Sequence, residues 1–167
     1  QGDDRLGLAG SSYQMLVSGA LAGRPPRVDF DLERAVQRLL RRAIAAGLLA
    51  SAHDSSDGGL AIALAESSIA SGLSVDLRFD LPSEGLARAL FAEGGARVAI
   101  SVKAECRQQW DQMAAESMVP ITELGVVTDG SEFRIQCGDR DVQLSVADLK
   151  RAHQEGLTRR IGGEAES

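Results

Sequence analysis

The sequence predicts an α/β fold of the α+β sandwich type, in which a mixed, mostly antiparallel sheet packs against helices. Three observations predict it. Segments with apolar residues at helical spacing alternate irregularly with segments of period two. The strand-like segments gather late in the chain, where Asp-Gly and Gly-Asp pairs mark turns. At 167 residues the chain suits one domain with a core of its own.

"SSYQMLVSGALAG" reads as a first helix, with Ser11 or Ser12 as its cap and a glycine closing it. "RPPRVD" breaks the pattern, since paired prolines cannot continue a helix. "FDLERAVQRLLRRAIAAGLL" repeats Leu32, Val36, Leu39, Leu40 and Ala43 at helical spacing, with Asp31 as cap and Gly47 near the exit. "GGLAIALAESSIASG" is a strongly apolar helix ending at Gly72. "LSVDLRF" alternates Leu73, Val75, Leu77 and Phe79, a strand with one face on a core. "EGLARALFAE" is a short helix, "ARVAISV" a buried strand, and "ECRQQWDQMAAES" another helix. Residues 121–146 read as two or three short strands, and "VADLKRAHQEGL" as a last helix. Residues 1–156 form the domain, and 157–167 a tail expected to be disordered.

Hydrophobic content of 44% and charged content of 25% are those of a soluble globular protein, and aromatics at 4% leave the interior to aliphatic side chains and alanine. The net charge of -6 excludes a general nucleic-acid binder, which must neutralise phosphates. "RLLRR" at 38–42 lies on a helix with an apolar opposite face and reads as a solvated face. Cys106 and Cys137 lack metal-ligand spacing, so reduced thiols in a cytoplasmic protein are expected. No apolar run approaches the roughly 18–20 residues of a membrane span. The chain opens on "QGDDRLG", without methionine, and reads as a processed or excised piece.

The densest chemistry lies in "SAHDSSDGGLAIALAES", residues 51–67. Asp54 or Asp57 can accept bonds from the free amides of a first helical turn, and Gly58 and Gly59 allow crowded backbone geometry. A helix starting near Gly58 points its positive end outward, where an anion can sit. Asp57 would repel a bare phosphate there. Two aspartates suit a magnesium-bridged nucleotide better, since magnesium takes carboxylate and phosphate oxygens together. By spacing alone, ordinary capping is the stronger reading. His53 reads as a structural side chain and His153 as a surface one. No serine–histidine–acid order, Walker loop or zinc pattern accompanies the motif.

The motif resembles the "AHD-x-SDGGLA-x-A-x-AE" segment of phosphoribosylformylglycinamidine synthases. The likeness extends outward in order. "LGLAGSSY" resembles their "GGSEY", "LFAEGGARVAISV" their "LFSES" helix and following strand, and "ITELGVVTDG" a later strand. Together these cover most of residues 6–150. The resemblance implies a last B domain, the AIR synthase-like C-terminal domain of the aminoimidazole ribonucleotide synthetase superfamily. The parent enzyme would use ATP and Mg2+ to activate the formyl amide oxygen of formylglycinamide ribonucleotide, which glutamine-derived ammonia then replaces. It implies an upstream A domain, a glutaminase subunit and a small carrier subunit as partners, and a cytoplasmic location.

Such a family keeps its catalytic histidine and most metal and ATP ligands in A domains, so no catalytic residue carries over and a metal site is not assigned. By family position, Asp54, Ser56, Asp57, Gly58 and Gly59 form a turn near a domain cleft. Its job is expected to be mainly architectural, with a contact to magnesium-bound nucleotide as the alternative. The substrate-contacting Glu-Ser-Gln of first-half B domains aligns with Glu93, Gly94 and Gly95, so two polar side chains are lost while Arg97 is kept. Ser12 likewise stands where the family has glutamate. A pocket here is therefore not expected to hold formylglycinamide ribonucleotide in the same way. Two other readings remain at this stage. One is a relative of the thiamine-phosphate kinase or selenophosphate synthetase type; the other is a non-catalytic module docking a partner through residues 32–49.

Overall fold

The computed structural model describes residues 7–82 and 85–162, the last six of these by backbone alone. In chain order the elements are α1 (Ser12–Ser18), α2 (Phe30–Ala45), β1 (Leu49–Asp54), α3 (Gly59–Ser71), β2 (Ser74–Phe79) and α4 (Leu86–Phe91). There follow β3 (Val98–Val102), a 3-10 turn at Ala104–Cys106, α5 (Arg107–Ser117), β4 (Gly125–Thr128), β5 (Glu132–Cys137), β6 (Arg140–Ser145) and α6 (Val146–Gly162). They fall into two compact units. One comprises Gln1–Leu64 with Glu84–Glu123, the other Ala65–Ser83 with Leu124–Ser167.

In the first unit, α1 starts where Ser11 accepts from the Gln14 amide at 3.1 Å. It stops at Gly19, four residues before the expected end at Gly23, because that glycine turns left-handed and gives its amide to the Met15 carbonyl. Residues 20–29 run without helix or strand. The cap of α2 is Asp29 rather than Asp31: Asp29 is the last extended residue, and its carboxylate accepts from the Leu32 amide at 3.0 Å. Asp31 already lies in the first turn and pairs with Arg34 at 3.0 Å, both exposed. Val36, Leu39 and Ala43 are buried, as the spacing predicts, while Leu32 and Leu40 are half-buried.

The helix ends at Ala45, not Leu49, and Gly47 turns the chain into β1. No strand is legible at "LASAHD", which lacks both alternation and β-branched residues. It is nevertheless paired antiparallel with β3, from Leu49 opposite Val102 to Asp54 opposite Val98, with one irregularity between Leu49 and Ser51. In this two-stranded sheet β3 is half-buried along its length, where full burial was expected. Leu39, Ala43, Leu48 and Trp110 form the buried centre, with Leu49, Ile100, Val102, Met113 and Ala114 packed around them. Helices α2 and α5 thus cover the small sheet through one aromatic side chain and many aliphatic ones. At 6% exposure Trp110 is the largest residue of that cluster.

The second unit holds a four-stranded sheet in the order β4-β2-β5-β6. β2 runs parallel to β5; the β2–β4 and β5–β6 pairs are antiparallel. Val75, Leu77 and Phe79 lie opposite Phe133, Ile135 and Cys137, and all six are buried. Period-two alternation thus makes one apolar face from two strands far apart in sequence. Leu73 does not join it: it precedes the strand and is 41% exposed, while Ser74 takes the buried place and donates its hydroxyl to the Glu132 carbonyl. Asp129-Gly130 does not make a hairpin, because β2 lies between β4 and β5. Gly138-Asp139 does, closing the two-residue turn between Cys137 and Arg140. The last helix, α6, continues past residue 157 to Gly162; the rest of the expected tail lies outside the described residues. Among the described residues, no helix is long and apolar enough to cross a membrane.

The two aspartates at the head of α2 separate cap from first turn. Asp29→Ala is expected to lower unfolding free energy by about 1 kcal/mol, and Asp31→Ala by less than about 0.5 kcal/mol, in urea titrations. Equal losses would return the cap to Asp31.

Candidate functional site

A single carboxylate organises the region around the 51–67 motif. Glu93 follows α4, and its Oε1 accepts the Gly58 amide at 2.8 Å and the Ser12 amide at 2.8 Å. Three stretches distant in sequence therefore meet at one oxygen: the head of α1, the turn before α3, and the exit of α4. Burial pushes the Glu93 carboxyl up, but the bonds from Gly58 and from the Ser12 amide and hydroxyl outweigh it and hold the group below its ordinary value. A second contact fixes the same meeting point. The rings of Tyr13 and Phe91 stack with centroids 4.7 Å apart and planes 10° from parallel.

The two glycines are required by this geometry. Gly58 and Gly59 both take positive φ, 77° and 72°. A Cβ on Gly59 would stand 2.7 Å from the Leu90 carbonyl oxygen and 2.9 Å from that of Ala92. Helix α3 thus begins with its backbone against the end of α4, an approach that no side chain permits. The Gly59 amide returns to the Ser56 carbonyl at 2.9 Å. The Gly58 amide goes to Glu93, across 35 positions of sequence.

Alongside lies an open groove of about 510 Å³, wholly within the first unit. One wall is Asp54, Ser55, Ser56 and Asp57; another is the run from Glu93 to Val98; Glu33, Val36, Gln37 and Leu40 of α2 complete it. Asp54, Ser56 and Asp57 are exposed, whereas Gly58 is half-buried and Gly59 buried. Asp54 Oδ1 lies 3.9 Å from His53 Nδ1, which also donates to the Asp54 carbonyl at 2.8 Å. The Ser55 amide donates to the Arg97 carbonyl at 2.9 Å, continuing the β1–β3 ladder into the groove wall.

Of the degenerate segment, Glu93 spends Oε1 on amides, Gly94 and Gly95 offer bare backbone, and Arg97 is spent on the structure. Its guanidinium donates to the Ala89 carbonyl at 2.7 Å and the Ala92 carbonyl at 3.4 Å, satisfying the C-terminal end of α4. Burial lowers its pKa from the ordinary arginine value. The motif residues and this segment are therefore brought together, but chiefly as a framework. Sequence reasoning missed the Glu93 bridge and the Tyr13–Phe91 stack, and no periodicity could reveal them. Among the described residues no three acidic, histidine or cysteine side chains group as a metal site. Magnesium takes about six oxygens, so the donors of the described residues do not fit a resident magnesium ion. His153, on α6, lies 4.0 Å from Glu66 and belongs to the second unit.

Two predictions follow from this geometry. Gly59→Ala is expected to cost about 3 kcal/mol or more, because strain at positive φ adds to a backbone clash. Gly47→Ala, with φ of 69° and open space around it, should cost only about 1 kcal/mol. Equal losses in denaturant titration would show that contact with α4 contributes nothing. A depressed Glu93 pKa means stability that is present above the ordinary glutamate value of 4.5 and lost as pH falls through the lower folded value. Glu93→Gln should therefore cost about 1 kcal/mol at pH 7 and flatten the loss of stability below pH 4.5. An unchanged acid limb in thermal melts would discount the bridge.

A family model described as AIR synthase related protein, C-terminal domain, matches residues 2–138. The phosphoribosylformylglycinamidine synthase subunit PurL of Parasynechococcus marenigrum (strain WH8102) is 83% identical over 167 residues, covering 100% of this chain and 22% of that protein. The subunit PurL of Synechococcus sp. (strain WH7803) is 55% identical over 166 residues, 96% of this chain and 21% of that protein. The chain therefore spans about a fifth of the length of the curated relatives it matches. Among solved structures, Thermotoga maritima PurL complexed with ATP superposes with a TM-score of 0.61 at 17% identity, over 70% of this chain and 21% of that one. PurLQS from Thermotoga maritima gives 0.63 at 17%, over 85% and 24%. At such identity these two show the fold, and it is a shared one. The groove, the glycine approach and the mixed sheet thus sit in a recognised framework: the chain belongs to the family of AIR synthase related proteins, C-terminal domain.

Proposed function

We propose that this chain serves as the C-terminal domain of a phosphoribosylformylglycinamidine synthase. The parent enzyme would convert formylglycinamide ribonucleotide to its amidine with ATP, Mg2+ and glutamine-derived ammonia, in the cytoplasm. The observation that carries the reading is 83% identity along the entire chain to a synthase subunit. Phosphorylating an amide oxygen turns a poor leaving group into a good one, which is why such a reaction needs ATP. No residue described here supplies that chemistry, so the isolated domain is inactive and its upstream A domain is a required partner. The similar chain in the PurLQS structure supports an assembly with glutaminase and small carrier subunits.

Within that enzyme, Asp54, Ser56, Asp57, Gly58 and Gly59 shape the groove wall, and the Glu93 bridge supports that role. Glu93, Gly94, Gly95 and Arg97 form the adjoining wall without a substrate-binding duty. A second reading, contact with a magnesium-bound nucleotide, is favoured only by the exposed Asp57 carboxylate beside the start of α3. Any nucleotide there would bring its metal with most of its ligands from elsewhere.

The parent gene is expected to restore purine-independent growth to a strain lacking the synthase, and a version truncated before Gln1 to fail. No restoration by the intact gene would sink the reading. Asp57→Asn in the intact enzyme should leave the KM for MgATP within about twofold of wild type, as expected for an exposed charge. A rise of about tenfold would select the nucleotide contact instead.

A further inference from the structure

We infer that α1 and the loop after it are an interface for the polypeptide ahead of Gln1 in the parent synthase, packing on an apolar face of the preceding domain. The inference rests on the synthase reading, which supplies that domain. Met15, Leu16 and Val17 are exposed in succession on α1, Leu16 by 81% and Val17 by 68%. Leu21 follows in the loop, also exposed. Single exposed apolar residues are ordinary on a protein surface, but such a cluster marks a contact.

The helix itself is a second observation. It has seven residues and none of them is buried. A helix this short is marginal in water, and most helical stability comes from packing an apolar face. Tyr13, Leu16 and Val17 share one face by their spacing of three and four. Tyr13, at the head, stacks on Phe91 of the same unit, while Leu16 and Val17 beyond it lie in solvent. The apolar face thus begins on this unit and continues off it, as it would where a helix bridges two bodies. None of residues 7–23 is charged, in a chain whose charged content is 25%. Depletion of charge marks the centre of an interface, whereas a solvated helix carries lysine or glutamate.

Chain length and attachment select the occupant. This chain covers 22% of the PurL to which it is 83% identical, and the synthase reading puts most of the remainder ahead of Gln1. Ser12 stands eleven positions after Gln1, a stretch that spans at most about 40 Å when extended. A domain joined ahead of Gln1 is therefore held beside α1 at an effective concentration of about 1 mM. A second copy or a separate subunit has no such tether.

The test is photo-cross-linking in the intact parent synthase, with p-benzoylphenylalanine replacing Leu16 or, in a second protein, Val17. Mass spectrometry then identifies the linked peptides. Links from either position to peptides ahead of Gln1 in the same polypeptide are expected, and none from the same residue at Arg38, which is exposed on α2. Mixing isotope-labelled with unlabelled enzyme tells a link within one polypeptide from a link between copies. The inference is overturned if neither position links ahead of Gln1, whether the links run to a second copy, to another subunit or to nothing. It is also overturned if Arg38 gives the same links in equal yield. Purine-independent growth with the unaltered parent gene is scored in parallel. Restored growth with links elsewhere sinks this interface alone, and failed growth sinks the synthase reading whatever the links.

Discussion

The first unit depends on one oxygen atom. Glu93 Oε1 takes the amides of Ser12 and Gly58, two donors that belong to segments far apart in sequence. An amide left without an acceptor at a helix head costs more than a typical hydrogen bond gains, so a carboxylate serving two of them is an economical solution. Its negative charge also faces the positive ends of α1 and α3. With that oxygen in place, α3 can start against the backbone of α4, which only glycine at 59 permits. The stacking of Tyr13 on Phe91 then closes the same corner with apolar contact.

This arrangement explains why polar residues that look like a site are mostly not free to act as one. Arg97 is committed to the carbonyls at the end of α4 and Glu93 to the amides at two helix heads. What remains on the groove surface is negative charge from Asp54, Asp57 and Glu33. Neighbouring residues of one short segment thus differ in duty: Asp57 stays exposed at the groove, while Gly58 gives its amide to Glu93. Glycine at 95 leaves room for the Glu33 carboxylate, whose Oε1 would lie 3.4 Å from a Cβ there.

Much of the fold was legible because burial imposes periodicity. Val36, Leu39 and Ala43 on α2, and Val75, Leu77 and Phe79 on β2, are where spacing places them. Legibility failed where another interaction overrode the local pattern. β1 carries almost no strand signal, since its conformation comes from the ladder with β3 and not from its own side chains. Asp129-Gly130 reads as a hairpin turn, but strand order is set by the partners of β2, which no dipeptide encodes. The cap of α2 was misplaced by two residues because Asp29 and Asp31 carry the same chemistry, and only the end of the extended segment distinguishes them.

The site was legible as a string and not as a geometry. Motif resemblance puts Asp54 through Gly59 in a turn near a domain cleft and Glu93 through Arg97 in a degenerate substrate segment; in the structure Asp54 through Asp57 and Glu93 through Val98 line one groove. Their roles follow from distances that sequence cannot supply. An aspartate beside a helix start is equally consistent with a cap, a metal ligand or a bare surface charge. Here the Gly58 amide is bonded to Glu93, and Asp57 lies exposed at the groove surface. Two carboxylates beside the same helix start thus differ by geometry: Glu93 serves amides of the framework and Asp57 stays in solvent, a difference that their places in the sequence do not encode.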